Sequence, residues 1–218
     1  MVTVAHLVKK IINDRPLLAE TMKEGIISYG ALAEKLLPEI ESELGKRPKR
    51  SAIVMALRRF EDSMLAPHKK KHNIFSGSEL IVKSGIADIV LSKSASLATK
   101  IERLYAAVDF GKGGILNLIQ GNNEFGIITN EKNVDRMLGI LEGEEVLLTE
   151  RNLALIGLSM PREYLFVPGP IFEASRQLTM DNINIYEIVS TSTELIFIVG
   201  KKDAVRAYNS LERLTSRK

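Results

Sequence analysis

The chain has 218 residues, with 30 Lys and Arg against 27 Asp and Glu for a net charge of +3, and 45% of its residues are hydrophobic. That is a globular composition with room for two modest domains. The absence of Cys excludes disulfides, thiol catalysis and thiolate metal sites. No apolar run approaches the ~18 residues that span a bilayer, and the amphipathic start MVTVAHLVKKIINDRP does not read as a signal peptide. The expected protein is cytoplasmic, with no membrane partner.

The charge is unevenly placed. Residues 1–73 hold 14 Lys and Arg against 9 Asp and Glu, giving +5, and the remainder hold 16 against 18, giving −2. The first third also has a helical pattern throughout. Val4, Leu7, Val8, Ile11 and Ile12 fall at helical spacing after a capping Thr3. Pro16 opens a second short helix that Gly25 closes. Ser28 caps a third, with Tyr29, Leu32, Ala33, Leu36 and Ile40 on one face, and Pro38 is expected to break or kink it before Gly45. Ser51 caps a fourth, with Ile53, Ala56, Leu57, Phe60 and Met64 inward. Four short helices of this kind suit a small all-α domain over 1–65, resembling a helix-turn-helix bundle. Lys46, Arg47, Lys49 and Arg50 precede the fourth helix, and Arg58 and Arg59 lie two turns along it. Cations at the start and outer face of a helix meet phosphates and base edges, so DNA is one expected partner. The alternative is an inert or protein-binding bundle with solvated charges, because seven Glu dilute the patch.

Residues 66–77, basic and containing Pro and Gly, read as a linker. His68 and His72 stand four apart, but three lysines separate them and no acidic ligand is near, so a metal site is not expected.

Beyond the linker the chain repeats. Sliding it by 70 residues aligns 115–138 with 185–208 without a gap. Ile115, Glu124, Ile128, Lys132 and Arg136 match Ile185, Glu194, Ile198, Lys202 and Arg206. The shared pattern is strand, polar turn, strand, helix, with Asn133 and Asp203 as equivalent caps. Upstream, 86–92 and 152–160 read as strands. Each is followed by a loop and a helix: Leu97, Ile101, Leu104, Tyr105 and Val108 line one, and Ile171, Ala174, Ser175 and Leu178 the other. Residues 143–150 supply a closing strand for the first copy. The second copy lacks one, and 78–85 is a spare strand that can cross over to complete it. The expected fold is α+β: an all-α domain, then two ferredoxin-like units, the first (86–150) inserted into the second (78–85 with 151–218).

The run VPGPIFEASRQLTMDNINIYEIVSTSTELIFIVGKKDAVRAYNSL (167–211) resembles an ACT domain, and LNLIQGNNEFGIIT (116–129) is similar to the corresponding strand pair in the regulatory region of aspartokinases, whose tandem ACT units are also inserted one into the other. Asn182 stands where a Gly is usual, a substitution that tolerates the left-handed conformation. The Lys-Phe-Gly-Gly motif of the kinase half is missing. FGKGG at 110–114 follows a helix and precedes a strand, the wrong order for a phosphate cradle. No acid–base or nucleophilic constellation stands out, so neither enzyme activity nor a cofactor is expected.

The resemblance implies a small ligand, typically an amino acid, bound where units meet edge to edge, and hence a homodimer. By position in the first unit, it places the ligand at the loop residues Lys93, Ser94, Ala95 and Ser96 and at the strand and turn residues Asn117, Gln120, Gly121 and Asn122. In the second unit Ser190 to Thr193 are equivalent, Glu187 replaces the Asn, and the extended loop MPREYLFVPGP alters the site. The reading is a ligand-responsive transcriptional regulator. The alternatives are a free-standing regulatory subunit of a biosynthetic enzyme and a ligand-free dimerisation scaffold.

Overall fold

The computed structural model describes residues 2–65 and 75–216. His68, His72 and most of the expected linker lie outside them. The chain divides into two compact units, 1–71 and 72–218.

The first unit is all-helical: α1 (Val4–Asn13), α2 (Pro16–Lys23), α3 (Tyr29–Leu44) and α4 (Arg50–Leu65). Thr3 caps α1 through the His6 N–H, and Ser28 caps α3 through the Ala31 N–H. The apolar stripes of α1, α3 and α4 meet in one core, with Leu7, Ile12, Leu36, Ile40, Ile53 and Leu57 sealed from solvent. Two details differ from the sequence reading. Pro38 does not break α3. It lies on the exposed face, where water can satisfy the carbonyl left without a donor, while Leu36 and Ile40 hold the helix to the core. And α4 starts one residue early, at Arg50, so Ser51 sits in its first turn rather than capping it.

The second unit is built on one six-stranded antiparallel sheet of order β2-β3-β1-β4-β6-β5, comprising β1 (Leu80–Ser92), β2 (Leu116–Gln120), β3 (Glu124–Asn130), β4 (Val146–Ser159), β5 (Ile185–Ser190) and β6 (Glu194–Gly200). Four helices accompany it: α5 (Ile101–Ala106), α6 (Val134–Ile140), α7 (Pro170–Met180) and α8 (Ala204–Thr215).

The α+β class and the interlocked units are as expected, with one refinement. The spare strand and the first copy's opening strand are a single strand, β1, and the first copy's closing strand runs into the second copy's opening strand as β4. Residues 80–84 of β1 pair with 154–158 of β4, whereas 86–92 pair with both β3 and the start of β4. Each long strand turns the corner between units at a left-handed residue, Gly85 (φ +70°) and Asn152 (φ 57°). Each half-strand therefore serves a different ferredoxin-like unit.

The 70-residue repeat is visible in register. β3 and β6 both begin on a Glu, and α6 and α8 start at 134 and 204. Asn182 is left-handed (φ 54°), as its place required. Asn133 and Asp203, however, make no capping hydrogen bond. Asn133 turns back to donate to the Thr129 hydroxyl, which itself donates to the Ile115 carbonyl, and Asp203 pairs with Arg206 at 2.8 Å. A short 3-10 turn before each helix redirects these side chains.

Helices α5 and α6 cover β1–β3 of the first unit around Leu91, Leu104, Ile127 and Met137, and α7 and α8 cover β4–β6 around Leu178, Phe197, Val199 and Leu211. Tyr105, expected inward, is 50% exposed and lies beside Phe110, ring centroids 6.2 Å apart. Ile171, expected inward, is 49% exposed. The FGKGG segment is a 3-10 turn stopped by left-handed Gly113. A Cβ on the following Gly114 would lie 2.6 Å from the Asp109 carbonyl oxygen and 2.5 Å from the Val108 side chain. Because part of that contact is backbone, no rotamer change relieves it. Gly114→Ala is expected to cost about 1–3 kcal/mol, read as a lower urea midpoint at unchanged slope.

Candidate ligand sites

The first unit's loop forms as its sequence suggests, but its hydroxyls are already engaged. Lys93 donates its N–H to the Asn123 carbonyl (2.8 Å) and its Nζ to the Gly121 carbonyl (3.3 Å), so the loop and the β2–β3 turn are tied together. Lys93, Ser94, Ala95 and Asn122 line an open depression there. Behind it lies a carboxylate that the sequence reading did not single out. Glu144, in the turn before β4, has a side chain only 3% exposed. It accepts hydrogen bonds from the Ser94 hydroxyl (2.5 Å) and the Ser96 hydroxyl (2.7 Å) and pairs with Lys100 Nζ (2.9 Å). These bonds, with Ser94 the strongest, hold Glu144 down at about 2. The signal in the sequence was the Ser-rich loop itself: hydroxyls grouped ahead of a helix start attract an anion, and here the chain supplies it.

The remaining first-unit residues separate. Gln120 is exposed at the end of β2 and Gly121 turns the chain, its N–H bonded to the Glu124 carbonyl. Asn117 lies three residues back along β2, roughly 10 Å away, opposite Ile128.

Ile128 belongs to the sheet face that the helices do not cover. Ile86, Ile115, Ile128, Leu153, Leu155 and Ile198 are buried together there, drawing on both ferredoxin-like units. Asp88 shares that face, opposite Ile128 on β3 and Glu150 on β4. It is 4% exposed and its Oδ1 has no hydrogen-bond partner among the described residues. Burial, then the charge of Glu187 on β5, pushes the Asp88 carboxyl up to about 6. Burial raises Glu187 as well.

The second unit's counterpart of the first loop is longer and leaves a cavity of about 250 Å³. Its walls come from the β4–α7 connection, the start of α7 and the β5–β6 turn. The connection carries a 3-10 turn (Arg162–Phe166) that places Tyr164 and Leu165, and left-handed Gly169 (φ 118°) then leads into α7 at Pro170. Ile171 and Phe172, which the sequence assigned to the core or left aside, line it. Ser190, Thr191 and Ser192 stand across the cavity, equivalent by the repeat to the first unit's turn. Among the described residues no carboxylate lines it.

This arrangement of sheet, interlocked halves and loops can be compared with known structures. The sheet unit has the fold of an aspartate kinase regulatory subunit. The regulatory subunit of aspartate kinase from Thermus thermophilus, in its ligand-free form, matches with a TM-score of 0.51 at 15% identity, over 62% of this chain and 95% of that one. The aspartate kinase of Clostridium acetobutylicum matches with a TM-score of 0.53 at 16% identity, over 63% of this chain but only 34% of the kinase. E. coli aspartokinase III in complex with lysine and aspartate matches with a TM-score of 0.50 at 15% identity, over 69% of this chain and 35% of the kinase. That regulatory fold is the one the sequence resembled. No protein-family model matches the chain, and no curated protein does.

In the helical unit, the basic residues are partly neutralised. Arg50 pairs with Glu34 at 2.6 Å and Arg47 with Glu41 at 4.0 Å. Arg58 and Arg50 line an open depression with Ser28, Tyr29 and Ser51 at the starts of α3 and α4. Burial, followed by a hydrogen bond to Glu61, pushes the Tyr29 phenol up to about 12. Lys46, Lys49 and Arg59 are exposed. Among the described residues, no group of three or more His, Asp or Glu could hold a metal, and no helix is long and apolar enough to cross a membrane.

Proposed function

We propose that the chain is a non-enzymatic regulatory protein whose tandem ACT-like units sense an amino acid and whose helical unit delivers the response, most directly by binding DNA. The observation that carries this reading is the composition of the chain: the regulatory fold found attached to aspartate kinases here follows an all-helical unit with a basic stretch between α3 and α4. Lysine and aspartate are the ligands named with E. coli aspartokinase III, which has a similar regulatory fold. β2 and β5 end the sheet with unpaired edges, and pairing of such an edge with a second copy would make a homodimer. A ligand that favours one dimer geometry would then set the spacing of two helical units.

A low-salt gel shift on fragmented genomic DNA, with and without each amino acid, tests the response. The expected result is a complex that weakens steeply with salt and is reduced several-fold by joint Arg58→Ala and Arg59→Ala substitution. No shift under any condition sinks the DNA reading. The Arg50–Glu34 and Arg47–Glu41 pairs favour a second reading, in which the helical unit docks on a partner enzyme through matched charges. Co-purification of a biosynthetic enzyme without DNA binding would select it.

A further inference from the structure

The two ACT-like units are not equivalent as ligand sites. In the first, the hydroxyls of Ser94 and Ser96 and the ammonium of Lys100 already surround the Glu144 carboxylate. An incoming carboxylate there would have to displace a buried anion from three partners. The helical segments that follow the loop are short, four residues of 3-10 helix and then six of α-helix. In the second unit, the connection between β4 and α7 is extended, and it borders the half-open cavity of about 250 Å³. That volume falls just below the ~300–1,000 Å³ of sites for drug-sized ligands, and so suits a small metabolite.

The lining decides the chemistry. Tyr164, Leu165, Val167, Ile171, Phe172 and Leu195 form its apolar wall. Among the described residues no charged side chain lines it. The polar side chains are the half-buried Tyr164, whose ring belongs to the wall, and the exposed Ser190, Thr191 and Ser192 opposite. Of these, the Thr191 hydroxyl already accepts from the Thr193 and Glu194 N–H groups. A ligand with a second charge on its side chain would lose hydration inside this wall and find no counter-charge. A ligand with an apolar side chain and a polar head fits both faces. Leu165, Ile171 and Phe172 are also largely exposed for apolar residues, as expected where a ligand rather than the core completes the packing.

We infer that the second unit's cavity binds one amino acid with a branched or aromatic apolar side chain per chain, and that the first unit carries Glu144 in the place of a ligand. This rests on the sensor reading above. Charged amino acids such as lysine and aspartate are excluded from the cavity by its lining.

The test is calorimetric titration of the full chain with leucine, isoleucine, phenylalanine, methionine, lysine, threonine and aspartate. It is repeated on Ile171→Glu, a change at a half-exposed position that the fold should tolerate, with circular dichroism to confirm folding. The expected result is about one apolar amino acid per chain, lysine and aspartate at least ~100-fold weaker, and at least ~10-fold loss in Ile171→Glu. Tight binding of lysine, threonine or aspartate in preference to the apolar set would overturn the assigned class and leave the sensor reading standing. Apolar binding that survives Ile171→Glu, or two ligands per chain, would overturn the assigned cavity. Absence of binding by all seven would overturn this inference, and the same result across the remaining thirteen would overturn the sensor reading with it.

Discussion

Replacing Asp88 with Asn is expected to stabilise the sheet unit by about 2 kcal/mol at pH 7.5 and by little at pH 4. The buried carboxyl has an unpaired oxygen and faces Glu187 on β5 and Glu150 on β4, with no cation among the groups that shift it. Its folded value of about 6 stands above the 3.8 of an ordinary Asp carboxyl. The folded protein therefore holds a proton that the unfolded chain has released between about pH 4 and 6. Stability from this group is complete below about pH 4 and is lost as pH rises through 6. Each pK unit is worth ~1.4 kcal/mol, so the full span approaches ~3 kcal/mol. The raised carboxyl of Glu187 acts with the same sign. Asn removes the charge at nearly constant shape, though its amide still needs a partner, which is why the expected gain is smaller than the span. Urea unfolding of wild type and Asp88→Asn at pH 4, 5.5 and 7.5 checks it. Equal midpoint differences at all three pH values would show that the carboxyl is not protonated in the fold.

Glu144→Gln should act in the opposite pH range. The wild-type carboxylate is held at about 2 by Ser94, Lys100 and Ser96, below its usual 4.5. Its contribution is present above about pH 4.5 and is lost as pH falls toward 2. The amide keeps an acceptor for one hydroxyl but leaves Lys100 without its counter-charge. Amide exchange across residues 94–99 is expected to quicken by roughly an order of magnitude or more at pH 7, with the α7 and α8 regions unaffected. An unchanged exchange rate would mean that the loop is held without Glu144, by the Lys93 bonds to the Asn123 and Gly121 carbonyls. The same variant vacates the anion position of the first loop, so any gain of a second, weaker amino-acid site upon this change would trace the asymmetry between the two units to Glu144.

Both predictions concern residues that the sequence did not single out. Asp88 reads as one polar position in a mostly apolar strand, IADIVLS. Only the pairing of β1 with strands on both sides, and the closing of the sheet face around Ile86, Leu153 and Ile198, turns that position into a buried one. Glu144 sits in a polar turn, 50 residues from Ser94, and no local pattern links them.

What the sequence determined by itself was periodic. The 3.6-residue stripes of the first 65 residues dictated four helices, because each stripe must be buried against another. The 70-residue repeat dictated two like units, and an unmatched strand at 78–85 required one unit to be threaded through the other. Capping was less legible: Thr3 and Ser28 were, Asn133 and Asp203 were not, because a 3-10 turn before the helix moves the side chain off the free N–H groups. Tertiary structure alone decided which unit has room for a ligand. Loop length and the alternation of apolar residues are written in the chain, but whether a loop closes on a carboxylate from a distant turn or opens into an apolar cavity depends on contacts between residues far apart in sequence. Burial and charge pairing, not periodicity, set those contacts.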